Sequence, residues 1–379
     1  MGGRPIVPHQ PPVGMASPPL RWRPPQTPPD ASVVSPSLLA TWSSCRLRAT
    51  FQRAPATAGL RKMGLRAAVG TVAHAMLEQR FRSQEAFASA WAAESERTYQ
   101  KLRRVWAPAV PPRPCNWPGW ALTKHQVAKR VVRDLRCELS GYSRTRERTQ
   151  ASLTTESADR LPTLPWRERW LEDGDRKLAG RPDLVDRIDG VLTVVDYKTG
   201  ARDLTNERRD QLLFYAALVQ ATLGELPVRG EMWRTDGATQ GFHIASAAVD
   251  DVVRRALLVR DEMNLTSGAQ LESKANPGPD TCPYCPFRVA CRPFIRAYRS
   301  DWVCGQVAVG RVAGVGRLGS QQYVDLEVLA PRWRPKRLRV IGVPQDAPSL
   351  GDTWALSDFE GVSETAFFRW NTLTWTWPA

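Results

Sequence analysis

Between Gly180 and Gly200 the chain reads Gly-Arg-Pro-Asp-Leu-Val-Asp-Arg-Ile-Asp-Gly-Val-Leu-Thr-Val-Val-Asp-Tyr-Lys-Thr-Gly. Two short apolar, β-branched runs are separated by Asp189-Gly190, a dipeptide suited to positive φ in a tight hairpin. The spacing therefore predicts two antiparallel strands. Along the second, side chains alternate in direction, so Asp196 and Lys198 project from one face. The apolar run before them places these charges at the end of a buried strand. Asp183 joins them from the first strand. Two carboxylates and one ammonium gathered this way can hold a divalent cation, set a water beside a phosphate and steady developing charge. An isolated Asp-x-Lys is more often a solvated strand face, but lysine is scarce here beside arginine, so Lys198 stands out from the basic background.

With 379 residues the chain can bury one large core or two modest ones. A formal net charge of +15 points to a polyanionic partner, nucleic acid before membrane; an arginine-rich proteome is the plainer explanation. No apolar stretch approaches the ~20 residues that span a bilayer. The N-terminus shows no apolar signal region. Seven cysteines, an odd number, fit a reducing compartment with metal-binding thiolates better than a secreted disulfide framework. The expected location is the cytoplasm.

Residues 1–31 are crowded with proline and predict a disordered or polyproline-like tail. Ser35-Pro36 predicts the start of a first helix that ends near Cys45. Gly70 to Glu78 predicts a second helix, on which His74 shares a face with Gly70 and Glu78 at i±4 spacing, and the small Gly70 leaves room beside the imidazole. Two further helices, 86–106 and 121–139, carry basic faces and flank a proline-rich link. Those faces can track a phosphate backbone or be ordinary solvated surface. Residues 164–172 read as a strand leading to the hairpin. After it comes an amphipathic helix from Arg209, with Gln211 and Tyr215 four apart on one face. Strands at 228–234 and 241–245 and a helix over 248–264 close the unit, which indicates an α/β domain with a mixed central sheet flanked by helices.

Cys282, Cys285 and Cys291 stand at C-x2-C-x5-C spacing in a proline-broken loop. Three thiolates so close repel one another unless a metal neutralises them. A fourth ligand must come from afar, with Cys45 the leading candidate and Cys304 the runner-up. Zn²⁺ is possible, while a three-plus-one split suits a [4Fe-4S] cluster that clasps the region together. Beyond residue 301 the pattern changes to about five short strands, a small β-barrel resembling an OB-fold. There Arg332, Trp333, Arg334, Lys336, Arg337 and Arg339 offer a basic stacking surface for single strands.

Taken in order, His74 in G-T-V-A-H-A-M-L-E, Asp183 in G-R-P-D, Asp196-x-Lys198 in V-V-D-Y-K-T-G, Gln211-x-x-x-Tyr215 and the cysteine cluster resemble the RecB-type branch of the PD-(D/E)XK nuclease superfamily, in its iron–sulfur subgroup. AddB-like and CRISPR-associated exonuclease-like proteins belong to that subgroup. The resemblance implies a restriction-endonuclease-like core over residues 32–300, followed by the OB-like domain at 301–379. It further implies Mg²⁺ or Mn²⁺ held by His74, Asp183, Asp196 and the carbonyl of Tyr197, with Glu78 as the fallback to His74. Lys198 would act on the attacking water, and Gln211 and Tyr215 would position the strand or support Lys198. In that subgroup the first cysteine usually precedes proline, whereas Arg46 follows Cys45 here. The implied activity is a metal-dependent deoxyribonuclease, an exonuclease on single-stranded or end-processed DNA. The alternative is a DNA-binding subunit of a repair, recombination or defence complex with little cleavage of its own. No G-x-x-x-x-G-K-[ST] motif occurs, so any helicase partner is a separate chain.

Overall fold

A computed structural model describes residues 32–378 apart from 62, 80, 107–110, 140–162, 200–203, 267–269, 284, 300, 303–306, 331–335, 344–348, 358–359, 362–366 and 370–374. The chain divides into two compact units, one reaching from residue 24 to Phe287 and one containing the residues from Arg288 onward.

The first unit begins with α1 (Pro36–Ser44), where the Ser35 hydroxyl accepts from the Leu38 amide at 3.3 Å and proline fills the first turn. The arginine-bearing stretch that follows is itself a helix, α2 (Arg46–Arg53). Three longer helices come next: α3 (Leu65–Leu77), α4 (Gln84–Trp106) and α5 (Trp120–Leu139). A run of strands then begins with β1 (Trp166–Arg167), β2 (Leu171–Asp173), β3 (Leu178–Gly180), β4 (Leu184–Ile188) and β5 (Val191–Lys198). α6 (Asn206–Leu223) connects β5 to β6 (Arg229–Arg234), and β7 (Thr239–His243) and α7 (Ser246–Leu265) complete the unit. The main sheet is mixed, in the order β1-β4-β5-β6-β7, with β5 antiparallel to β4 and parallel to β6. β2 and β3 pair separately.

The hairpin between β4 and β5 has the expected turn, with Asp189 at φ 52° and Gly190 at φ 78°. Its register opposes Leu184 to Val195 and Ile188 to Val191. β5 is buried on both faces. Leu192 and Val194 join a core with α1, α6 and α7, whereas Val195 and Tyr197 face a second core built by α3, α4 and α5. A parallel pair needs a crossover, and α6 supplies it. Its unbroken buried run, Leu212 to Val219, matches a helix enclosed on all sides rather than a surface helix. The Thr205 hydroxyl starts it and Gly224, at φ 73°, stops it.

The second unit holds α8 (Arg292–Ala297) and seven strands: β8 (Val307–Leu318), β9 (Gln321–Ala330), β10 (Arg337–Ile341), β11 (Thr353–Ser357), β12 (Glu360–Gly361), β13 (Phe367–Arg369) and β14 (Trp375–Pro378). They form one sheet in the order β12-β13-β10-β9-β8-β11-β14. The barrel expected there is not closed among the described residues: the outer strands β12 and β14 pair only with β13 and β11. Instead β8 bends at register shifts near Gly310 and Gly314 and serves both β9 and β11. A Cβ on Gly310 would lie 2.8 Å from the Glu327 carbonyl oxygen, so the close strand approach there requires glycine. No helix among the described residues is long and apolar enough to cross a membrane.

Candidate active site

The site forms where the ends of β4 and β5 meet α3 and α6. Asp183 stands just before β4, and its Oδ2 accepts the Tyr197 backbone amide at 2.5 Å. The strand that carries Asp196 and Lys198 thus fixes the neighbouring carboxylate. Period-2 alternation turns Asp196 and Lys198 toward α6, where Lys198 Nζ lies 2.6 Å from Asp196 Oδ2 and donates to Gln211 Oε1 at 3.5 Å. Gln211 in turn donates from Nε2 to the Tyr215 hydroxyl at 3.2 Å, one helical turn on. The predicted chain Asp196–Lys198–Gln211–Tyr215 is therefore continuous.

His74, on α3, reaches the same place from the opposite face of the sheet. Its Nδ1 lies 3.6 Å from Asp183 Oδ1 and 3.8 Å from Oε1 of Glu168. Glu168 follows β1 directly. It adopts φ 45°, a left-handed conformation that costs a residue with a side chain about 1–2 kcal/mol. Its amide donates to the Asp183 carbonyl at 3.2 Å, and its Oε2 meets Arg181 Nε at 2.6 Å. Potential ligand atoms of His74, Glu168 and Asp183 all lie within 4.8 Å of one another, the group among the described residues that could hold a metal ion. Asp196 is not in that trio; Lys198 holds it. Gly70 does not border the imidazole as expected but faces Thr199, whose Oγ1 would be 3.7 Å from an added Cβ.

Electrostatics follow from burying several carboxylates together. Burial alone would lower the His74 imidazole, yet Asp183 and Glu168 outweigh it and push it up to about 10. The same imidazolium, with the Tyr197 amide, holds Asp183 below its ordinary range against the opposing effect of burial. Asp196 is raised to about 6 by burial, with Lys198 only partly offsetting this and Asp183 adding to it. Glu78, next to Glu168, is raised to about 7 by burial and by that neighbour's charge. Displaced carboxylates of this kind cluster at functional sites and also in structural ion-pair networks. Two carboxylates and one imidazole nitrogen can together hold a divalent cation, the carboxylates as hard donors and the imidazole as a borderline one.

A family model of the PD-(D/E)XK nuclease superfamily matches residues 33–292. The chain belongs to that superfamily. A search of curated proteins found no match. The matched PD-(D/E)XK span holds the predicted site residues from Cys45 to Cys291 and, with them, Glu168, which sequence reasoning passed over. Glu168 sits in Trp166-Arg-Glu-Arg-Trp170, where nothing in spacing or type marks one charged residue above its neighbours. The left-handed backbone that aims it shows only in the folded nuclease domain.

The cysteines fall in three places. Cys45 caps α2, Cys282 is buried and Cys285 is half-buried in the first unit, and Cys291 precedes α8 in the second. Burial pushes the Cys285 thiol up to about 11, with Cys282 and Cys45 contributing as like charges. Cys45 thus lies near the loop 240 positions later. Cys304 lies outside the described residues. In the C-terminal sheet Lys336 and Arg337 are exposed, whereas Arg339 makes a two-pronged pair with Asp325 at 2.7 and 2.8 Å and stacks on Tyr323. Arg332, Trp333 and Arg334 lie outside the described residues.

Proposed function

We propose that this PD-(D/E)XK protein is a Mg²⁺- or Mn²⁺-dependent deoxyribonuclease that acts on DNA ends or single strands. The observation that carries the reading is the convergence of His74, Glu168 and Asp183 beside the Asp196–Lys198 pair. His74, Glu168 and Asp183 would hold the cation, with Asp196 and the carbonyl of Tyr197 at its edge. When bound, the metal would polarise a phosphoryl oxygen and acidify a water. Lys198, on the same strand face, orients that water and neutralises charge as its oxygen bonds to phosphorus and the bond to the leaving oxygen breaks. Gln211 and Tyr215 hold the ammonium in place through the contacts along α6.

Cys45, Cys282, Cys285 and Cys291 form, in this proposal, a structural [4Fe-4S] clasp. The open C-terminal sheet serves as an OB-like module whose basic residues hold single strands, and a separate helicase or recombination or defence protein supplies unwound DNA. The test is end-labelled single- and double-stranded DNA incubated with Mn²⁺, with and without chelator. Chelator-sensitive shortening is expected; intact substrate in every arm removes the nuclease reading.

A further inference from the structure

Arg167 occupies a place that the proposed chemistry does not use. It is the last residue of β1, directly before Glu168. Its Nη1 donates to the carbonyl of Leu77 at 3.3 Å, at the end of the helix that carries His74. Its guanidinium also lies close enough to the phenol of Tyr197, the residue between Asp196 and Lys198 on β5, to favour its ionised form against the larger opposing effect of burial. Its backbone pairs with Leu184, the neighbour of Asp183. One residue thereby adjoins three of the elements that supply the site, α3 and β5 through its side chain and β4 through its backbone. Tyr197 is buried at 2% exposure, its ring edge-on to His74 at 6.3 Å, with the Arg130 guanidinium 5.5 Å from its centroid.

We propose that Arg167 and Tyr197 form a positioning pair that holds Glu168 in its left-handed backbone and against His74, and so sets the affinity of the site for its divalent cation. The planar fork of arginine is needed because two acceptors from two elements must be met at once. In this proposal both side chains act through Glu168 and His74 and not on the reacting atoms. Groups that orient metal ligands typically govern affinity by about 10–100-fold. The inference rests on the nuclease reading for the identity of the cation, but its test does not depend on cleavage.

Mn²⁺ binding to the full-length protein is measured by calorimetry for the parent, Tyr197→Phe, Arg167→Lys and Arg167→Ala, with melting recorded in chelator. Tyr197→Phe removes one oxygen and is expected to weaken Mn²⁺ about 5- to 10-fold with an unchanged melting curve. Arg167→Ala is expected to weaken it about 10- to 100-fold, Arg167→Lys to recover only part, and Tyr197→Phe to add little in the Arg167→Ala background. Unchanged Mn²⁺ affinity in Tyr197→Phe and Arg167→Lys overturns the proposal, as does additivity of the two single losses. A parallel cleavage assay judges the nuclease reading by itself: a parent that binds Mn²⁺ and cuts nothing defeats that reading, while the affinity series still decides Arg167.

Discussion

Lys198 Nζ lies 2.6 Å from Asp196 Oδ2, two positions back along the same strand. The pair is made within one strand face, so the ammonium reaches the site without any loop having to close. Lys198→Ala is expected to cut the single-turnover cleavage rate by about 10²–10³-fold while DNA and Mn²⁺ affinity change little. A rate within tenfold of the parent removes Lys198 from the chemistry.

His74 ties metal binding to protons. Because its folded pKa is pushed up to about 10, the cation has to displace a proton, and Mn²⁺ affinity should rise with pH across the neutral range. Calorimetry in buffers of different ionisation enthalpy should register about one proton released per Mn²⁺, and none in His74→Ala. The sign for stability is opposite. A group raised above its unfolded value stabilises fully below about 6.5 and loses that contribution through about 10, so chelator-treated protein should melt lower at pH 10 than at pH 7.

Asp196 carries the reverse cost. Burial, with Asp183 nearby, raises it to about 6, so the neutral acid is the form that folding favours. That benefit is present below the ordinary carboxylate range and lost as pH rises through about 6. Asp196→Asn should therefore raise the melting temperature of metal-free protein at pH 7–8 by about 2–5 °C, with the gain gone near pH 3. Cleavage should be lost. A variant that melts lower at pH 8 contradicts the assignment.

Gly180 supports the site from below. A Cβ there would lie 2.9 Å from Tyr215 Cε1 and 3.2 Å from Leu218 Cδ1, so Gly180→Ala should displace the Tyr215 ring. The expected loss is about 1–3 kcal/mol in denaturant unfolding, together with slower cleavage through Gln211 and Lys198. Full stability in that variant shows that the ring can retreat.

Cys285 tests the clasp. Anaerobically purified protein is expected to be brown and to contain iron, and Cys285→Ser to lose both colour and iron. Zinc without iron replaces the cluster with a Zn²⁺ site, and neither metal removes the clasp altogether.

Much of this was legible in the residues because it depends on short-range rules. Asp189-Gly190 specified its own turn, and alternation placed Asp196 beside Lys198 and Tyr197 opposite them. Helical spacing put Gln211 under Tyr215. Glu168 escaped because its role comes from a left-handed kink and from pairing across to β4, neither of which leaves a local pattern. Arg167 escaped for the same reason, since its partners lie 90 and 30 positions away. The C-terminal strands were readable as strands, but whether a sheet closes depends on which edges meet. β8 bends where its register shifts, and no single residue announces those bends.

The parallel pairing of β5 with β6 also orders events in time. Thr193 to Val195 gain their second strand neighbour, and Asp196 to Lys198 their strand partner, only from Arg229 to Arg234, on the far side of α6. During synthesis, the ribosome must release residue 234 before Lys198 has a strand to pair with. A chain halted earlier carries every motif up to Tyr215, yet the strand that bears Asp196 and Lys198 still lacks its parallel neighbour.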